Sequence, residues 1–312
     1  DVQKKNPQIW SILTALPAPQ TIPYEKEKMD AFFYVIDTPN VNPTISVEEN
    51  QCILIGDFTT YEKSVKDLRW NIYGNVGLFF AFALTVLERS ARIHSMHASA
   101  LYNEKENIEN IIRAVFGLPG SSGSGKTVLQ LEALLNHDYK VFTTEMTHFK
   151  VDGEDSYFYK GSTYDNIRVG NLVYDFPEAI KRFNVSVPEV EDKWETYLAV
   201  NFGPWSSKQE VLKNPRVVLL FPKIESGRKE LVLDGNASYN SFVKSTFDNA
   251  SEKIYKSQIM YGGYPCFASF DRQNLADERL NDVRKLLKLK NVTNRIRLLA
   301  SPQDCWAWEQ VI

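Results

Sequence analysis

Pro17, Pro19 and Pro23 separate short apolar groups over residues 1–25, a pattern that predicts an extended arm with turns rather than a helix. Ala31 to Ile36 and Cys52 to Ile55 are rich in aromatic and β-branched residues and flank the turn-prone stretch from Thr38 to Thr44, which predicts two paired strands. From Leu68 to Ser90 the apolar residues are dense, and Ala, Leu and Phe dominate. Gly74 and Gly77 weaken only the early part, so a deeply buried helix is expected. Arg92 to Tyr102 and Ile111 to Leu118, joined by a charged loop from Asn103 to Asn110, predict strand, hairpin, strand. Val128 to Asn136 then has the Leu and Ala spacing of a helix. Further strands are predicted from Lys140 to Thr144, Tyr157 to Tyr159, Ile167 to Val173 and Val217 to Ile224. Asp277 to Leu289 predicts a charged helix in a C-terminal region that is mostly helical.

The 312 residues, 43% hydrophobic and 12% aromatic, suffice for a large core. The expected division is an N-terminal α+β region over 1–91 and a larger α/β domain over 92–312. A formal charge of -3 gives no global field that would attract nucleic acid or an anionic membrane. Cys52, Cys266 and Cys305 are far apart and form neither a disulfide framework nor a zinc spacing, which fits a reducing compartment. No basic segment followed by an apolar one opens the chain as given. The most apolar stretch, Val76 to Leu87, falls short of the roughly 20 residues of a membrane-spanning helix. A cytoplasmic protein without a membrane partner is therefore expected. The tryptophans at 194, 205, 306 and 308 are read as core rather than as a stacking surface for nucleic acid.

Candidate chemistry begins where the second predicted strand runs into a glycine-rich segment. Gly120, Ser121, Ser122, Gly123, Ser124, Gly125, Lys126 and Thr127 match G-x-x-x-x-G-K-[ST] in full, between a strand and a helix. Glycines let consecutive backbone N–H groups turn inward on an anion, and the helix directs its positive end at the same point. Lys126 would reach the β- and γ-phosphates, and the Thr127 hydroxyl would ligate a magnesium ion bridging them. This loop alone does not separate ATPases, GTPases and kinases.

Upstream stands Met96-His97-Ala98-Ser99-Ala100. A strand bearing HxSA, a hairpin and then the run FGLPGSSGSGKT resembles the HPr kinase/phosphorylase family and its relative, phosphoenolpyruvate carboxykinase. The resemblance covers 93–149. It implies a P-loop core of that type with a smaller N-terminal α+β part, ATP and Mg2+ as cofactors, and His97 beside the transferring phosphoryl group. His94, outside the motif, is expected to be structural. Ser99 could donate to a phosphate oxygen.

In these families the strand after the P-loop helix ends in an acidic pair that binds metal and, in the kinase, deprotonates the attacking hydroxyl. Here the corresponding positions are Thr144 and Glu145. Glu145 is thus the candidate base and, with Thr127, the candidate metal ligand; His148 is the next candidate base. If that alignment holds, Thr144→Asp should strengthen metal binding. A further acidic element of the family corresponds weakly to Phe158 to Ser162, where Lys160 stands near the carboxylate position. Arg168, Arg216 and Arg228 are charge-clamp candidates by residue type alone.

The function implied is magnesium-dependent transfer of the γ-phosphoryl group of ATP to a Ser- or Thr-type hydroxyl of a protein, peptide or small molecule. The alternative is a nucleotide-binding regulator or NTPase with no phosphoryl acceptor. Decarboxylation ranks third, because the second acidic residue is missing. The alternating charges over 276–289 fit a solvated face or a contact in a homo-oligomer.

Overall fold

The computed structural model describes residues 31–41, 44–48, 50–56, 78–103, 111–116, 123–257 and 271–311. The expectations for residues 1–25 and for Leu68 to Gly77 lie outside them. The chain forms an α+β fold of two units, the first running up to Ser95 and taking in Ala250–Asn281, the second comprising Met96–Asn249 and the residues from Asp282 onward.

In the first unit Phe32–Asp37 (β1), Thr44–Val47 (β2) and Gln51–Gly56 (β3) make a sheet in the order β1-β3-β2. Alternation places Cys52 and Leu54 of β3 inward at almost no exposure. The two strands expected to pair do so, in parallel, with β2 antiparallel on the other side of β3. The helix Leu78–Ala91 buries Phe80, Ala81 and Leu84, and Phe79 meets Phe33 edge-to-face at 5.1 Å.

One polar network is buried in this unit. The Arg279 guanidinium donates to both oxygens of Glu88, each at 2.7 Å, to both oxygens of Asp271, at 2.9 and 3.3 Å, and to Ser251 Oγ at 2.9 Å. His94 Nδ1 lies 3.0 Å from Glu88 Oε1. Burial would raise the Glu88 carboxyl, but the hydrogen bonds from Arg279 and His94 outweigh it and hold it below the usual range.

The second unit is built on a six-stranded mixed sheet. Its members are Ala98–Asn103 (β5, after the short His94–Met96, β4), Ile111–Phe116 (β6), Lys140–Thr143 (β7), Arg216–Ile224 (β13), Val232–Asp234 (β14) and Val292–Ala300 (β15). Their order is β14-β15-β13-β6-β5-β7. Thr147–Asp152 (β8) and Asp155–Tyr159 (β9) form an antiparallel hairpin extended by Val211–Lys213 (β12); Tyr164–Arg168 (β10) pairs with Tyr197–Asn201 (β11). The helix Lys126–Asn136 buries Val128, Leu129, Leu131, Ala133 and Leu134 in a core shared with Val218, Leu220, Ile296, Leu298 and Trp308.

Several elements depart from the sequence pattern. The strand expected from Arg92 to Tyr102 is broken at His97 into β4 and β5. The strand expected from Ile167 to Val173 ends at Arg168, and Asn171–Asp175 is a turn of π helix. The C-terminal region is not mostly helical: β15 lies inside the main sheet, between β14 and β13, although its Arg and Asn residues hide its alternation. The charged helix spans Gln273–Leu286. Trp306 and Trp308 are buried as expected, whereas Trp194 is exposed and stacks on Tyr174. Among the described residues no helix is long and apolar enough to cross a membrane.

Candidate functional site

Strand directions decide which residues meet. β5 is antiparallel to both β6 and β7, and β13 is parallel to β6. The C-terminal ends of β6, β7 and β13 therefore share one edge of the sheet with the start of β5, immediately after His97. β7 does not lie beside β6 as the simplest P-loop picture would have it, since β5 separates them. This insertion brings His97 to the edge where β7 delivers Glu145.

The described part of the glycine-rich segment crosses the end of β13. The Ile224 N–H donates to the Ser124 carbonyl at 3.1 Å. Gly125 has φ +100°, and a Cβ there would lie 2.6 Å from the Ile224 side chain, so both its dihedral and its contact require glycine. The helix begins at Lys126, two residues before the position expected from the apolar spacing. Gly120, Ser121 and Ser122 lie outside the described residues.

Five predicted or neighbouring side chains converge at the start of this helix. His97 Nε2 lies 3.2 Å from Glu145 Oε1, and Lys126 Nζ lies 3.7 Å from Glu145 Oε2. His97 and Glu145 keep 17% and 22% of their side chains exposed. The Lys126 nitrogen is itself buried and, among the described residues, donates no hydrogen bond, Glu145 being its ion-pair partner at 3.7 Å. A buried ammonium is stabilised when a hydrogen-bond acceptor reaches it. Thr127 Oγ1 donates to Asp165 Oδ2 at 3.3 Å.

Asp165 was not singled out in the sequence. It sits in β10, beyond the turn in which the family's second acidic element was sought, with no acidic neighbour to mark it. Desolvation, reinforced by the Glu145 charge, pushes its carboxyl up to about 7, against the opposing pull of Lys126 and the hydrogen bonds from the Asn166 N–H and Thr127.

Thr144 is engaged by the fold. It is 1% exposed, and its hydroxyl donates to the carbonyls of Tyr164, at 2.5 Å, and Ser162, at 3.1 Å, while its N–H donates to Ser162 at 2.8 Å. Thr143 Oγ1 donates to the Met146 carbonyl at 2.7 Å and closes the turn that carries Glu145. Gly161 lets the two turns approach, since a Cβ there would lie 2.5 Å from Thr143 Oγ1 and 2.7 Å from the Met146 carbonyl. The turn after β7 therefore both presents Glu145 and anchors the segment leading to Asp165.

Other candidates are placed elsewhere or engaged. His148 is fully buried, and burial drives its imidazole down to about 3, so it is a neutral core residue and not a reserve base. His94 belongs to the Glu88 network of the first unit. Lys160 donates to the Ser207 carbonyl and Glu210, Arg168 to the Trp194 carbonyl and Glu195, Arg216 to Thr293 and Arg228 to Glu225. Ser99 is 1% exposed and its hydroxyl has no hydrogen-bond partner.

Compared with protein-family models and with curated proteins, the chain matches none.

Proposed function

We propose that this protein is a magnesium-dependent kinase that transfers the γ-phosphoryl group of ATP to a Ser- or Thr-type hydroxyl of a protein, peptide or small molecule. The observation that carries this reading is the Lys126 ammonium, buried and without a hydrogen bond among the described residues at the first residue of the helix, beside a carboxylate held by a histidine. A γ-phosphate oxygen supplies the acceptor that the ammonium lacks. Thr127 and an acidic side chain would be suited donors for a Mg2+ ion, which would supply neutralisation of phosphate charge.

Each side chain then has a task. Lys126 holds the β- and γ-oxygens, and the Thr127 hydroxyl helps to place the cation. His97 holds Glu145 Oε1 and stands beside the phosphoryl group. Glu145 accepts the proton of the acceptor hydroxyl as its oxygen bonds to the γ-phosphorus; the bond from that phosphorus to the β–γ bridging oxygen breaks, and ADP leaves.

One observation favours a second reading. Both Glu145 oxygens already face cationic or histidine partners, and position 144 carries no acid, an arrangement that also suits a regulator or NTPase which holds nucleotide without an acceptor. Incubation with γ-labelled ATP, Mg2+ and lysate of the source cell separates the two. The kinase reading expects a labelled acceptor, with Glu145→Gln lowering transfer by about 10²–10⁴ while ATP still binds. Tight ATP binding without a labelled acceptor in the wild type decides for the regulator.

A further inference from the structure

We infer that Asp165 is the acidic partner of Thr127 in the magnesium site, supplying from β10 the carboxylate that position 144 does not carry. The inference rests on the nucleotide reading above and adds to it a residue that neither the motif nor the resemblance marks.

Three observations converge on it. Thr127 Oγ1 and Asp165 Oδ2 stand 3.3 Å apart, longer than the usual O–H···O hydrogen bond. Two adjacent oxygens of an octahedral Mg2+ site, each about 2.0–2.1 Å from the ion, stand roughly 2.9–3.0 Å apart, so a few tenths of an ångström bring both onto one cation. The position of Asp165 is also built rather than incidental. Thr144, where the family carries its first acid, fixes the Ser162 and Tyr164 carbonyls, and Gly161 admits the close approach of the two turns. The Lys126 ammonium, buried and without a hydrogen bond among the described residues, is the third: it suits the same place to an anionic ligand.

Charge favours the same assignment. The Asp165 carboxyl lies within the field of Glu145 as well as of Lys126, and a divalent cation between Asp165 and the phosphates would screen the repulsion between those anionic groups. Mg2+ ordinarily takes one or two carboxylates together with substrate phosphates and waters, so Asp165 and the Thr127 hydroxyl would be a sufficient share for the protein to supply. Glu145, beside His97 and Lys126, then takes the proton while Asp165 serves the ion, a division of labour that a single acidic position could not provide.

The test is direct binding of Mn2+, followed by electron paramagnetic resonance, in the presence of a non-hydrolysable ATP analogue. Asp165→Asn should weaken Mn2+ binding about tenfold or more, since even partners outside the ligand set cost 10–100-fold, while metal-free binding of the analogue stays within about twofold. Unchanged Mn2+ affinity in Asp165→Asn overturns the assignment and leaves the nucleotide reading intact. If the wild type does not bind the analogue with or without Mn2+, the nucleotide reading itself falls, and this inference with it. Asp165→Cys gives a second measurement that does not depend on the amide variant folding: a thiolate ligand should shift preference from Mn2+ toward Cd2+. A metal preference identical to that of the wild type would equally overturn the proposal.

Discussion

Two groups of charged side chains in this molecule differ in how far they are closed. In the first unit Arg279 spends all five N–H donors on Glu88, Asp271 and Ser251, and His94 adds to the same carboxylate. In the second unit the Lys126 nitrogen is buried with no hydrogen bond among the described residues, Glu145 faces it at 3.7 Å, and the Asp165 carboxyl is held near neutral pH by its surroundings. Burial alone does not distinguish the two. What does is completeness: a network whose donors and acceptors are satisfied internally has no energetic use for a ligand, whereas an incomplete one lowers its free energy by binding one. The first is a structural clamp; the second has the character of a site.

The comparison can be broken at either end. The largest effect is expected from Arg279→Met, which leaves Glu88 buried without its guanidinium and should cost about 3–5 kcal/mol of stability in urea unfolding. Lys126→Ala should do the reverse. Affinity for an ATP analogue, measured by calorimetry, is expected to fall about 10–100-fold, in line with the loss of a charge-assisted hydrogen bond, while the unfolding temperature of the ligand-free protein moves by no more than about 2 °C. A large loss of stability in Lys126→Ala with unchanged affinity would show that the lysine closes the fold and serves no phosphate.

Thr144→Asp sharpens the contrast from within the second unit. Sequence alignment with an acidic pair leads one to expect stronger metal binding from this change, but the structure places two carbonyl oxygens against the Thr144 hydroxyl. A carboxylate there donates nothing and repels both, so the variant should lose about 1–3 kcal/mol and bind Mn2+ no better than the wild type. The effect that is smallest near neutral pH is a pH trend. His148 titrates near 3 in the folded protein and near 6.5 in an ordinary setting, so the unfolded chain takes up a proton that the folded chain refuses. Its contribution to stability is complete above pH 6.5 and declines as the pH falls toward 3. Urea midpoints measured across that range should decline less steeply in His148→Leu than in the wild type.

Much of the candidate site was legible in the residues. Gly123, Gly125, Lys126 and Thr127 declare themselves by spacing, because a chain that must reach φ values of +93° and +100° and then start a helix has few other solutions. His97 and Glu145 were found through a resemblance, and the structure brings them within 3.2 Å of each other. Asp165 was not found. It has no motif of its own, and its relevance depends on hydrogen bonds from Thr144 that tie two turns distant in sequence. β15 escaped for a related reason: a strand within a sheet can carry Arg and Asn where its neighbours cover them, and periodicity in the sequence does not show that cover.

The sequence by itself determined many of the local elements, though not β15 or the first turn of the helix at Lys126, because helix periodicity and glycine dihedrals are set by interactions between residues near one another along the chain. It also determined the absence of any strong global charge. Only the tertiary structure decided which charged groups are closed and which are open. That distinction depends on β5 entering between β6 and β7, on the Gly161 turn meeting the turn after Thr143, and on Arg279 reaching Glu88, contacts between positions far apart in the chain. Satisfaction of a buried charge is a property of its full surroundings in space, and those surroundings exist only once the chain has folded.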